Sequence, residues 1–240
     1  MNRLVAFSRP IALISAALVA ICASGMTLAR KPEPSVQAAT AGEKAAPEIQ
    51  RLFDQAHVAL RSGRREDAVA PAQQAAAISE QLPAGHGLRI RTLSEAGALF
   101  WSVNRKDLAK PALMAAARQI DGAPRAAPPE VSRMTFHMLG VIHRDEQRHE
   151  EAVPWFQRAV QVLADLPENT TQAAQDKYFA LVFELRTLAW AQCRANHAQA
   201  AEQTDERRIA GCSRLTRQSD ANACRDGKRT CVNRWMSQSH

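Results

Sequence analysis

The chain has 240 residues, is 46% hydrophobic but only 5% aromatic, and carries a formal net charge of +7. It contains no glycine-rich phosphate loop, no Gly-x-Ser-x-Gly and no His-Glu-x-x-His. Those absences exclude the common phosphate-cradling, serine-hydrolase and zinc-protease chemistries, so the expectation is a protein that is not an enzyme and needs no cofactor or metal. The charge is uneven: Arg30 onward holds 29 basic and 24 acidic residues, and Arg207–His240 alone is net +6.

Residues 1–29 read as a secretory signal. Arg3 and Arg9 open it, and Ile11 to Ile21 is an apolar run too short to span a bilayer as a mature helix. Small residues at Ala23-Ser24-Gly25 and Thr27-Leu28-Ala29 offer alternative cleavage points, and an uncleaved anchor is the other reading. A lipoprotein would need a small residue before Cys22, where Ile21 stands. The expectation is an exported, periplasmic protein, which argues against a nucleic-acid partner despite the basic composition. Residues 30–47 are rich in Pro, Ala, Glu and Lys with Val36 as the one larger apolar residue, a composition expected of a flexible linker.

From Glu48 on, the chain reads as helical hairpins. The first runs to Pro83 and turns at Ser62-Gly63-Arg64; its apolar surface is mostly alanine, so it should lean on the next unit. The second, His86–Pro124, turns at Asn104, and Pro124, Pro128 and Pro129 predict an extended connection after it. The third, Glu130–Pro167, is the most regular. Excess length at Glu168–Lys177 is expected to prolong the first helix of the fourth, which turns at Ala195-Asn196-His197.

One ruler measures all four units. With Ala68, Ala109, Ala152 and Ala201 each taken as position zero, a large residue stands at −16 (Leu52, Leu93, Phe136, Leu185) and a small one at −12 (Ala56, Gly97, Gly140, Ala189). Positions +4 and +7 hold Ala72 and Ala75, Leu113 and Ala116, Phe156 and Ala159, and proline closes the first three units at +15 (Pro83, Pro124, Pro167). In the fourth unit the second half breaks the pattern, with Asp205 at +4, Arg208 at +7 and Thr216 at +15. Pro71, Pro111 and Pro154 just after zero place the start of each second helix only a few residues earlier. The zero positions lie 41, 43 and 49 residues apart.

This pattern resembles the tetratricopeptide repeat, best through Phe136, Leu139, Gly140, Ala152, Phe156 and Ala159. The later terminal proline is similar to the longer variant of about 42 residues seen in kinesin light chains. Over residues 48–216 the resemblance implies an all-α, right-handed solenoid of about four hairpins whose first helices line a concave groove for a protein or peptide. Its exposed groove positions, near −15, −11 and −8, would be Ser94, Ala98 and Trp101, then His137, Val141 and Arg144, then Arg186, Trp190 and Cys193. Trp101 and Trp190 are either hydrophobic anchors or gap fillers between repeats, while Arg144 and Arg186 suit a carboxylate. No lysine stands in the middle of a first helix, so the lysine-based carboxylate clamp of chaperone-binding members is not expected.

Residues 217–240 are expected to form a basic, disulfide-tied cap or tail. Beyond Cys22, four cysteines cluster at this end, an even number that in an exported chain reads as two disulfides. Cys193 and Cys212 flank the last turn at unequal distances, roughly 20 Å apart along the hairpin, too far to bridge. A reversal near Ser219-Asp220 brings Cys212 level with Cys224 and leaves Cys193 for Cys231. The first pair would contribute on the order of 3 kcal/mol by shortening the unfolded chain's loops; a zinc site is the weaker reading, because no Cys-x-x-Cys occurs. The basic residues Arg207, Arg208, Arg214, Arg217, Arg225, Lys228, Arg229 and Arg234 are either a solvated cap or a contact for an anionic envelope component.

Overall fold

The computed structural model describes residues 36–168 and 171–215, with Ala221 and Cys224 beyond them. The expected signal, and the tail residues Arg217, Arg225, Lys228, Arg229, Cys231 and Arg234, lie outside the described residues. Eight α-helices and one 3-10 turn, Glu66–Ala68, make up the described chain, and no strand occurs there. The helices are α1 (Val36–Arg61), α2 (Val69–Glu80), α3 (Gly87–Ser102), α4 (Lys106–Gly122), α5 (Pro129–Asp145), α6 (His149–Ala164), α7 (Thr171–Arg194) and α8 (Ala198–Cys212). They pair as α1–α2, α3–α4, α5–α6 and α7–α8; α2 meets α3, α4 meets α5 and α6 meets α7, while α1 also touches α3 and α3 touches α5.

The repeat extends to the backbone of the turns. Gly63, Asn104, Gln147 and Asn196 all adopt positive φ, between 59° and 74°, and all stand at position −5. In every unit the N–H at −4 donates to the carbonyl at −9: Arg64 to Ala59, Arg105 to Phe100, Arg148 to His143 and His197 to Gln192. The N–H at −5 donates to the carbonyl at −8 in each as well. This is a left-handed helix stop that consumes the last carbonyls of the first helix. Its reuse fixes the angle at which each second helix returns.

The interior follows the ruler. Positions −16, −12, zero, +4 and +7 are buried in the first three units, and the core is continuous from α1 through α5, with a second cluster joining α5, α6 and α7. Gly97 and Gly140 mark close approaches between the two helices of a hairpin. A Cβ on Gly97 would lie 2.5 Å from Leu113, and one on Gly140 2.6 Å from the Phe156 ring. Where +4 is the small Ala72, position −12 carries a methyl group, Ala56. The helices exchange volume across this contact, glycine facing a large side chain and alanine a small one.

Two expectations change. The segment expected as a linker is helical from Val36, and Gly42 is buried where a Cβ would strike the His86 ring. The connection after α4 is a turn at Pro124–Ala126 rather than an extended run. As expected, α4 and α6 start only a few residues before their prolines, five before Pro111 and Pro154, which stand in the second turn. Their missing N–H leaves the carbonyls of Asp107 and Glu150, both exposed residues that water can serve.

Candidate docking surface

The first helices bear most of the expected site residues, and the structure sorts them by exposure. Ser94 and Val141 are buried and cannot line an open groove. Val141 belongs to the second core cluster. The Ser94 hydroxyl sits 2.6 Å from that of Thr135 on α5, where the periodicity turns it toward the next unit. Ala98 is half-buried. Trp101 is half-buried between the two core clusters, with the Lys106 ammonium 5.2 Å from its ring. Trp190 packs edge-on to His149, centroids 5.4 Å apart, and the Arg194 guanidinium lies 6.0 Å from its ring. Both tryptophans therefore fill junctions while keeping part of their surface outside. Arg144 pairs with neighbouring Asp145 at 2.8 Å. Arg186 is exposed and lies over the Phe183 ring at 5.5 Å.

His137 is at the centre of a junction that periodicity did not reveal. Its Nδ1 is 2.8 Å from Glu184 Oε2, and Arg133 donates to Glu184 Oε1 at 2.6 Å. The Glu184 side chain is fully buried, so α7 is tied to α5 by a desolvated carboxylate with two basic partners. The His137 ring also meets Phe156 and Phe183, both at 5.6 Å between centroids. Phe179 and Phe183 are 65% and 43% exposed, the largest exposed apolar side chains on α7. Beside them a cleft of about 490 Å³ opens between the start of α5, the end of α6 and the first half of α7. Its wall includes Arg133, Leu163, Leu166, Asp176, Lys177 and Ala180. Lys177 crosses to the end of α6, where it donates to the carbonyls of Leu166 and Ala164 at 2.7 and 3.3 Å. The signal for this region was the extra length before Ala201, which makes α7 24 residues long against 16 for α3 and 17 for α5.

At the other edge of the stack two histidines are held neutral. Burial is the main cause that lowers the His143 pKa below its usual value, with the nearby Lys110 adding to it and the Glu151 contact opposing. His149 is lowered by burial and by the charge of Arg194, and both its ring nitrogens are buried without a hydrogen-bond partner.

The C-terminal end revises the basic cluster. Arg208 is buried, pairs with Asp205 at 2.9 Å and donates to the Cys224 carbonyl at 2.7 Å. The two residues that break the ruler at +4 and +7 are thus an internal ion pair that receives the returning chain. Arg214 donates to the Tyr178 hydroxyl and stacks over its ring. Arg208 is closed to an external anion and Arg214 is engaged, while Arg207 is exposed. Cys212 and Cys224 form a disulfide with Cα atoms 5.7 Å apart. Cys193 is disulfide-bonded too; its expected partner, Cys231, lies outside the described residues.

The sequence matches no protein-family description and no curated protein. Solved structures match it. One is described as a kinesin light chain with nearly identical TPR-like repeats, from Podosopora anserina, and superimposes in two crystal structures with TM-scores of 0.58 and 0.56. At 17% identity the match covers 73% of this chain and 81% of that one. Another is aspartyl phosphate phosphatase F from Bacillus subtilis, TM-score 0.53 at 15% identity, over 76% of this chain and 43% of that chain. The fold is that of tetratricopeptide-like repeats. The recurring turn is shared by all four hairpins, and these matches show the same repeat fold.

Proposed function

We propose that this chain is an exported, non-catalytic tetratricopeptide-like scaffold of the periplasm that docks another protein or peptide along its first helices. The observation that carries the reading is the partly open row of aromatic and charged side chains on successive first helices: Trp101, Arg144, Phe183, Arg186 and Trp190. Aromatic rings and arginines held on a rigid frame are the residue types that dominate docking energies. The likeness to repeat proteins supports the shape of such a surface, and the basic start of the chain supports export.

A photoreactive residue at Arg144, in the full chain with its leader, tests this in intact cells. The expected result is a discrete protein adduct on Arg144 labelling. The tail reading, an anionic lipid or lipopolysaccharide contact, keeps only those basic residues not engaged in the fold. Lipid labelling from a probe at Arg234, with none on protein from Arg144, would move the function to the tail.

A further inference from the structure

The first helices of the second, third and fourth units are joined by one recurring polar contact. The side chain at −15 of one unit meets the side chain at −17 of the next. Ser94 meets Thr135 at 2.6 Å, and His137 meets Glu184 at 2.8 Å. In the fourth unit position −15 is Arg186, which is exposed and makes no ion pair among the described residues. Around it, Phe179, Phe183, Arg186 and Trp190 follow one another at spacings of four, three and four. That spacing puts them on one stripe of α7, the register by which one helix receives another. Phe179 and Phe183 are open to solvent at one end of the stripe.

We propose that this stripe is the docking site for an amphipathic helix of a partner protein, which lies along α7 and places a carboxylate on Arg186. The proposal rests on the docking function above and names its terminal site. The acceptor is argued from charge and precedent within the chain: the basic side chain at the preceding −15 position, His137, already takes a carboxylate. A second copy fits less well, because the stripe itself carries no free carboxylate for Arg186. The apolar residues of the incoming helix would cover Phe179 and Phe183.

The test uses the full mature chain, oxidised, and a fluorescein-labelled three-heptad helical peptide. The peptide has leucine at the seam positions and glutamate at the central one; a second version has lysine there. By fluorescence anisotropy the glutamate peptide should bind about tenfold more tightly than the lysine peptide, the factor that one modest charge contact supplies. Arg186→Glu should reverse the preference, and Phe179→Ser with Phe183→Ser should weaken both peptides. These side chains are exposed, and unchanged circular dichroism confirms that the variants fold. No binding of either peptide, or the same preference in wild type and Arg186→Glu, overturns the proposal. So does concentration-dependent self-association that Arg186→Glu abolishes, which would make the occupant a second copy. If the Arg144 probe still labels a protein in those cases, the general docking function stands and the terminal site falls.

Discussion

Thr92, Thr135 and Glu184 stand at the same place in three successive first helices, and they fare differently. Thr135 and Glu184 each meet a polar side chain at −15 of the preceding unit, whereas that position before Thr92 is Phe53, which can accept nothing. The Thr92 hydroxyl is buried with no hydrogen-bond partner. An isosteric Thr92→Val should therefore leave stability unchanged or raise it by about 1 kcal/mol, because an unsatisfied hydroxyl costs on that order. Thr135→Val should lower it by about 1 kcal/mol, since the hydroxyl contact between α3 and α5 and the bond to the Val131 carbonyl are lost while Ser94 keeps its own bond to the Ile90 carbonyl. Urea titrations of the two variants check the contrast, and equal losses would contradict it. The glycine contact makes a second residue-scale prediction. Gly140→Ala gains in helix propensity but drives a methyl group into the Phe156 ring, so a net loss of about 1–3 kcal/mol is expected in the same titration. Gly140→Ala combined with Phe156→Leu should recover part of it.

At the scale of elements, α8 shows how a terminal repeat uses its broken pattern. Asp205 and Arg208 occupy the positions that hold Phe156 and Ala159 one unit earlier. Removing one partner of a buried pair costs more than never having built it. Arg208→Ala should destabilise the oxidised protein by about 3–5 kcal/mol, whereas Asp205→Leu with Arg208→Met should return most of that loss. A double-mutant cycle in denaturant measures both, and independent, additive effects would contradict the pairing. The hairpins, their turns and the role of Gly97 and Gly140 were legible in the sequence, because packing repeats a fixed arithmetic. Three features were not. The start of α1 holds no large apolar residue beyond Val36 and so leaves little periodic signal; Gly42 is buried because the His86 ring lies over it. Ser94 and Val141 fall at nominally exposed offsets, but the neighbouring unit covers them. Glu184 reads as a surface carboxylate until α5 supplies Arg133 and His137, a contact set by tertiary placement alone.

Across the whole molecule, stability is a sum of junctions between neighbouring units, and the junction between the third and fourth contains an acid-sensitive element. The His149 imidazole is held neutral by burial and by Arg194, against Trp190. Its folded pKa lies below the unfolded value, so the unfolded chain takes up the proton more readily. The stability this group contributes is present above the ordinary histidine value of about 6.5 and is lost as pH falls below it. His143 acts in the same direction. Melting temperature should fall between about pH 7.5 and about pH 5, and His149→Phe should flatten part of that fall. An unchanged slope in the variant would assign the acid sensitivity elsewhere.

The proposed docking function makes the face formed by the first helices the working surface. A photocrosslinking scan in intact cells tests it most directly, with probes at Arg91 and Arg186 on first helices and at Arg118 and Gln157 on second helices, all exposed. Discrete protein adducts are expected from the first pair and none from the second. Equal labelling from both faces, or adducts from the second helices alone, would contradict it.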